Sequence, residues 1–254
     1  MALLEIKDCT LSFGGLVAVS NFSLALDEGE LVSLIGPNGA GKTTVFNLVT
    51  GIYAPSYGDI FFDGHSLKAM RPSTICRLGI ARTFQNIRLF GMMTVLENVR
   101  VAHYIYLNRG LGRSIFRIPS FYEEELRTME EATHILKWVG LESEAHELSK
   151  NLPYGKQRRL EIARALATRP KLLLLDEPAA GMNSSEKQGL MKLIEELHDQ
   201  KKLSILLIEH DMKVVMGISK RVVVMDHGEI ISEGNPDEIQ NDPKVIEAYL
   251  GEKV

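Results

Sequence analysis

Apolar and polar positions along the chain fall into two textures. Leu4 to Leu11 and Ala18 to Leu26 alternate, the period-two pattern of half-buried strands, and the turn Asp27-Glu28-Gly29-Glu30 follows. Leu31 to Ile35 is a continuous apolar run, as expected of a strand covered on both faces of a parallel sheet. A Gly-rich turn and a helix from about Lys42 come next, and Asp59 to Phe62 and Ile80 to Phe84 read as further short strands. From about Thr94 to Arg169 the texture becomes helical: Met92 to Asn98 starts one helix, and a second spans Phe121 to Val139. Between them, LNRGLGRSIFRIPS is a Gly- and basic-rich connector, expected to be mobile or docked on something. Strand runs return at Leu172 to Leu175, Ser204 to Ile208, Arg221 to Met225 and Glu229 to Ser232, alternating with helices. The alternation predicts a βαβ core with a mainly parallel sheet, and the interruption predicts a helical subdomain inserted into it.

A length of 254 residues allows one sizeable core with a smaller subdomain attached. The balance of 29 Lys and Arg against 33 Asp and Glu, a net charge of −4, argues against a nucleic-acid partner, whose binding surfaces carry a basic excess. Cys9 and Cys76 have neither metal-ligand spacing nor a disulfide framework, so a reducing cytosol is the expected compartment. The opening MALLEIKD lacks the basic and apolar regions of a signal peptide. No run reaches the roughly 20 apolar residues of a membrane helix. Any service to a membrane is expected from its side.

Gly36-Pro37-Asn38-Gly39-Ala40-Gly41-Lys42-Thr43 fits G-x-x-x-x-G-K-[ST] between a strand and a helix, the context that separates a phosphate loop from a chance Gly-rich turn. Glycines let backbone N–H groups turn inward around phosphates, and the helix N-terminus adds its dipole. Lys42 is expected to reach the β- and γ-phosphates, and the Thr43 hydroxyl to ligate Mg²⁺. Leu172 to Leu175 is an apolar strand ending in two carboxylates. Asp176 is expected to hold the Mg²⁺ shell, and Glu177 to orient and deprotonate an attacking water. Without the phosphate loop, both would read as solvated turn acids.

The stretch NLPYGKQRRLEIARAL, Asn151 to Leu166, reads as a short loop that opens a helix with Lys156, Arg158 and Arg159 in its first turn. Helix N-termini already carry partial positive charge, and each cation placed there costs roughly 0.3–1 kcal/mol. The pattern makes sense if an anion sits there in the working state. Its bland alternative is a solvated basic face with Leu160, Ala163 and Ala167 packed inward.

Taken in order, these motifs resemble those of the ATP-binding cassette (ABC) ATPases, from about Leu4 to Leu250. The resemblance implies an α/β P-loop NTPase whose mainly parallel core sheet carries an antiparallel β subdomain and an inserted helical subdomain. Residues 1–91 and 170–254 would form the nucleotide-binding core and about 92–169 the helical signature subdomain. By that likeness Leu152-Pro153-Tyr154-Gly155-Lys156 is the signature motif, Gln85 in RTFQN the Q-loop glutamine, His210 in IEHD the switch histidine, and Ala180-Gly181-Met182-Asn183 the D-loop. Phe13 matches the aromatic that stacks on adenine. The implied catalytic set is Glu177, His210, Gln85 and Lys42. ATP would lie on Gly36 to Thr44, with Thr44 completing the loop, and Mg²⁺ on Thr43, Gln85 and Asp176. In the family two cassettes close head to tail, and each signature helix faces the γ-phosphate held by the other subunit. This chain departs from the pattern where Pro153 and Tyr154 replace the usual Ser and Gly, Lys156 the usual Gln and Asn183 the D-loop aspartate. Proline offers neither hydroxyl nor N–H, so the serine contact to phosphate is lost.

Extended segments, among them RTFQNIRLF, TVLENV, RLEIARAL, EPAAGMN and IEHDMKVVMGIS, bring the chain nearest to the LivG-type ATPases of branched-chain (hydrophobic) amino acid uptake systems. That likeness implies membrane permease subunits, a second related ABC ATPase or a second copy of this chain, and indirectly an external solute-binding protein. It also implies a place on the cytoplasmic face of the cell membrane. Urea-uptake and lipopolysaccharide-export ATPases share much of this texture. Cassettes that work on ribosomes or DNA usually carry two motif sets, long coiled coils or basic regions, and this chain has one set and no sustained heptads.

Overall fold

The computed structural model of the chain describes residues 2–106 and 119–250; most of the connector LNRGLGRSIFRIPS lies outside the described residues. In chain order come β1 (Ala2–Phe13), β2 (Leu16–Asp27), β3 (Leu31–Ile35), α1 (Lys42–Val49), β4 (Tyr57–Phe62), β5 (His65–Ser66), α2 (Pro72–Leu78) and β6 (Ile80–Arg82). Then follow α3 (Val95–His103), α4 (Pro119–Trp138) and α5 (Tyr154–Leu166). The last part carries β7 (Leu172–Asp176), α6 (Ser184–Lys201), β8 (Ser204–Ile208), α7 (Met212–Ile218), β9 (Arg221–Asp226), β10 (Glu229–Gly234), α8 (Pro236–Gln240) and α9 (Pro243–Leu250). Two compact units result: Met1–Gln85 with Lys171–Val254, and Asn86–Pro170.

The first unit holds two sheets. One is antiparallel, in the order β2-β1-β4-β5, and the other has the order β10-β9-β3-β8-β7-β6. In the second sheet all neighbours run parallel except β10 against β9. Every residue of β3, β7 and β8 is buried, Ser33, Asp176 and Ser204 included, which explains their mainly apolar texture. Leu4, Phe22 and Phe62 of the antiparallel sheet, Phe46 of α1, and Leu174 and Leu206 of the parallel sheet share one core. Ile35, Val222 and Val224 pack separately with Val215 of α7, Ile239 of α8 and Val245 of α9.

The first two strands run past the alternating stretches of sequence. Backbone pairing continues to Ser12↔Val17 and Phe13↔Leu16, with register shifts that break the period-two pattern. The short helix α2 was not foreseen. Pro72 sits at its start, and Gly79, at φ +115°, ends it.

The second unit is helical. Thr94 caps α3, accepting from Glu97 N at 3.2 Å while the Glu97 carboxylate accepts from Thr94 N at 2.8 Å. This capping box places the helix start at Val95 and leaves Met92 and Met93 outside it. Asn98, fully buried, accepts from Phe90 N (2.9 Å) and donates to the carbonyls of Phe90 (3.1 Å) and Thr94 (3.0 Å), tying the entering loop to the helix.

Candidate active site

The turn from β3 into α1 is closed in on by neighbouring backbone. A Cβ on Gly36 (φ +146°) would lie 2.0 Å from Met225 O, and one on Gly41 (φ +102°) 2.5 Å from Ala18 O. The tip of the β9–β10 hairpin fastens the turn, Gly228 N donating to Ala40 O at 3.0 Å. Lys42, 7% exposed, folds its ammonium back over the turn and donates to Gly36 O at 2.7 Å and Pro37 O at 2.9 Å. Burial holds its pKa below the ordinary lysine value, against the pull of Glu177 and Asp176.

Asp176 ends β7, buried, and accepts from Arg82 Nη2 at 2.7 Å. Arg82 also donates to Asn47 Oδ1 at 2.7 Å, and its guanidinium lies over the rings of Phe46 and Phe84. Glu177 follows with a left-handed backbone (φ +47°), and its N–H is bonded to Ile208 O at 2.9 Å. Its Oε2 accepts from Gln85 Nε2 at 2.9 Å and stands 3.7 Å from His210 Nδ1. Three strand ends thus deliver Gln85, Glu177 and His210 to one place.

A cleft of about 440 Å³ opens over this arrangement. Asn38, Gly39, Ala40, Gly41, Lys42, Thr43 and Thr44 line it together with Gln85 and Glu177. Leu16, Val17, Ala18 and His227 line it as well, none of them anticipated from sequence. Pro37 instead borders an adjoining cleft. Phe13 sits at the end of β1, half exposed, its ring edge-on to Tyr53 at 5.1 Å between centroids. Arg82 was also missed; a lone cation closing the apolar run Ile80-Ala81 was its signal. His227 had none, since only the fold brings the hairpin tip to the phosphate turn.

In the second unit the cationic helix end proves different from the sequence reading. Helix α5 begins at Tyr154, so Lys156 lies in its first turn but Arg158 and Arg159 lie in the second. Each cation has a partner within the unit. Lys156 pairs with Glu144, and Arg158, 3% exposed, with Glu161 at 3.2 Å and the Tyr154 hydroxyl at 2.9 Å. Arg159 donates to Val139 O at 3.2 Å. Carboxylates thus meet Lys156 and Arg158 and a carbonyl holds Arg159, so contacts within the unit account for where the three cations sit. Leu152 is buried, its N–H donating to Ser149 O at 3.3 Å and its carbonyl accepting from Gln157 Nε2 at 2.9 Å, and Gly155 is buried in the first turn of α5. Asn183, back in the first unit, spends its side chain as the N-cap of α6, accepting from Glu186 N at 3.0 Å.

The cleft suits a triphosphate: a loop closed in by backbone, a lysine beside it, and a carboxylate flanked by an amide and an imidazole. Thr43, Asp176 and Gln85 offer oxygen donors, the type Mg²⁺ takes, and Mg²⁺ is usually completed by substrate phosphates rather than an all-protein cage. Among the described residues no cluster of His, Cys, Asp and Glu could hold a metal by itself.

A strand, a glycine-rich turn and a helix, with a carboxylate pair at the end of a parallel strand one further along the same sheet, define a P-loop nucleoside triphosphatase. Residues 19–180 match the family model described as ABC transporter, and residues 229–254 one described as branched-chain amino acid ATP-binding cassette transporter. The chain belongs to the ABC transporter family and is one of its ATP-binding, ATP-hydrolysing cassettes. It is 48% identical over 250 residues to the high-affinity branched-chain amino acid transport ATP-binding protein BraF of Pseudomonas aeruginosa, covering 98% of each chain. Identity and coverage are the same for the protein LivG of Escherichia coli (strain K12), described in the same words. A solved nucleotide-free ATP-binding cassette from an ABC transporter is 32% identical, with a TM-score of 0.86 over 99% of this chain and 100% of that one. Another, a dimeric cassette in a post-hydrolysis state bound to ADP and Pi, is 26% identical, with a TM-score of 0.77 over 92% of this chain and 98% of that one.

Proposed function

We propose that this chain is the ATP-hydrolysing subunit of a membrane importer of branched-chain or other hydrophobic amino acids. The observation that carries the hydrolytic part is the convergence of Gln85 and His210 on Glu177 at the mouth of the phosphate turn. The 48% identity to two proteins described as serving branched-chain amino acid transport supports the substrate class. ATP lies with its phosphates on Gly36 to Thr44, its β- and γ-phosphates drawing Lys42 away from the turn carbonyls, and its adenine on Phe13. Mg²⁺, held by Thr43, Asp176 and Gln85, supplies charge neutralisation on the phosphates when bound. Glu177 takes a proton from the attacking water, Gln85 orients the carboxylate, and His210 contacts the γ-phosphate.

In this reading residues 1–91 and 170–254 form the nucleotide-binding core and about 92–169 the signature subdomain. The signature Leu152-Pro153-Tyr154-Gly155-Lys156 and Asn183 face the nucleotide of a partner cassette, either a related ATPase or a second copy. The dimeric post-hydrolysis structure of a relative supports that arrangement. Permease subunits and an external solute-binding protein recognise the cargo, and the cassette works on the cytoplasmic face of the membrane. No helix among the described residues is long and apolar enough to cross a membrane.

The test is reconstitution in vesicles with cognate permease subunits, a partner ATPase and a solute-binding protein. ATP-driven uptake of labelled leucine, isoleucine and valine is expected. Uptake of urea, export of lipopolysaccharide, or co-purification with ribosomes in place of permeases would replace the proposal.

A further inference from the structure

Glu209 is a buried acid for which the mechanism above has no use. It lies between Ile208, the last residue of β8, and His210, and its side chain is wholly enclosed. Its Oε1 accepts from the N–H of Ala179 at 2.9 Å. Its Oε2 accepts from the N–H groups of His210 at 3.2 Å and Asp211 at 3.4 Å. One carboxylate therefore spans the two loops that present the hydrolytic pair, that of Glu177 on one side and that of His210 on the other. Enclosing a carboxylate is costly, and here backbone N–H groups from both loops offset the cost. Burial pushes the acid's pKa up while those three N–H groups pull it down. An apolar side chain would fill the space without holding either loop.

We propose that Glu209 is a positioning residue for ATP hydrolysis: its carboxylate clamps the His210 loop to the Glu177 loop and sets the spacing between the imidazole and the attacking carboxylate. It touches no substrate and acts through His210, whose imidazole it holds at its distance from Glu177. The contact from Glu177 N to Ile208 O joins the Glu177 loop to the end of β8, and the ion pair of Lys187 with Asp211 ties α6 to the His210 loop, so the clamp refines a register that the backbone already starts. The inference rests on the hydrolytic reading of Glu177 and His210.

The experiment uses the full chain in the reconstituted transporter, with turnover normalised to bound fluorescent nucleotide. Glu209→Gln places an amide N–H₂ against at least one backbone N–H, and Glu209→Asp keeps the charge but falls short of Ala179. Each is expected to lower kcat by roughly 10- to 100-fold, the scale of a misplaced catalytic group, with KM for ATP unchanged. In a His210→Ala background, read by single turnover, neither should cost anything further, since the group they position is gone. A folding defect in the Gln variant leaves the Asp variant to be read in the same way. Wild-type kcat in both variants would overturn the proposal, as would an equal loss in the His210→Ala background, which a merely structural residue would give. Glu177→Gln serves as the control. Undiminished turnover there overturns the hydrolytic reading itself, whereas an inert Glu177→Gln beside a normal Glu209→Gln overturns the clamp alone.

Discussion

Arg82 Nη2 and Asp176 Oδ2 meet at 2.7 Å with their side chains only 5% and 2% exposed. The pair joins β6 to β7, and the same guanidinium reaches Asn47 in α1, so one side chain links the strand before the Q-loop, the carboxylate strand and the phosphate helix. Removing one partner of a buried pair leaves the other charge enclosed without its counterion, at a cost of about 3–5 kcal/mol. Arg82→Ala is expected to lower stability by that amount in urea denaturation. Arg82→Lys should recover only part of it, since lysine cannot address Asp176 and Asn47 with a planar fork.

Glu177, with Gln85 Nε2 on its Oε2, is the base in the proposed mechanism. Glu177→Gln should bind Mg-ATP as the parent does and hydrolyse it about 10²–10⁴-fold more slowly, the usual worth of a general base. The closed dimer should accumulate, visible by crosslinking or scattering with trapped nucleotide. Undiminished turnover in the assembled transporter would remove Glu177 from this role.

Lys42 holds two carbonyls of its own turn at 2.7 and 2.9 Å, contacts that phosphate oxygens would replace with charge-assisted ones. Such bonds are worth roughly 1.5–3 kcal/mol, so Lys42→Ala should weaken ATP binding by about 10- to 150-fold in a fluorescent-nucleotide titration. Unchanged affinity would count against the phosphate assignment.

His103 in α3 is enclosed, with Glu131 Oε2 at 3.5 Å and Arg169 among the charges it feels. Burial lowers its pKa below 6.5 and Arg169 adds to this, while Glu131 opposes it. The unfolded chain therefore takes up a proton that the folded chain refuses. The stability tied to neutral His103 is present above about pH 6.5 and is lost as pH falls toward the folded-state pKa, by at most about 1.4 kcal/mol per pH unit. Urea midpoints at pH 7.5 and 5.5 should differ less in His103→Gln than in the parent.

Much of the core was legible because its signals are local. Leu31 to Ile35 and Ser204 to Ile208 have the bounds read from their apolar runs, and α1 begins at Lys42 where the glycine-rich turn ends. A continuous apolar run needs only its own residues to be recognised, and the phosphate turn carries fixed glycine spacing. The start of α3 was misjudged by a few residues, although its capping box, Thr94 with Glu97, is also a local signal. The cations of α5 were misread for a different reason. Helical spacing shows that Lys156, Arg158 and Arg159 are close together, but Glu144 and Val139 reach them from earlier turns of the chain.

By itself, the amino-acid sequence determined the strand and helix alternation, the phosphate turn, and the identity of the groups able to do the chemistry. The first two and the pair Asp176-Glu177 follow from periodicity or spacing within a few residues, whereas Gln85 and His210 were picked out by the family resemblance alone. Only the tertiary structure decided which groups meet: Gln85 with Glu177 across 92 positions, Arg82 with Asp176 across 94, and Glu209 with the loop beyond Glu177. Those pairings depend on the strand order of the parallel sheet. That order is set by how apolar faces pack together, and no local pattern in the chain carries it.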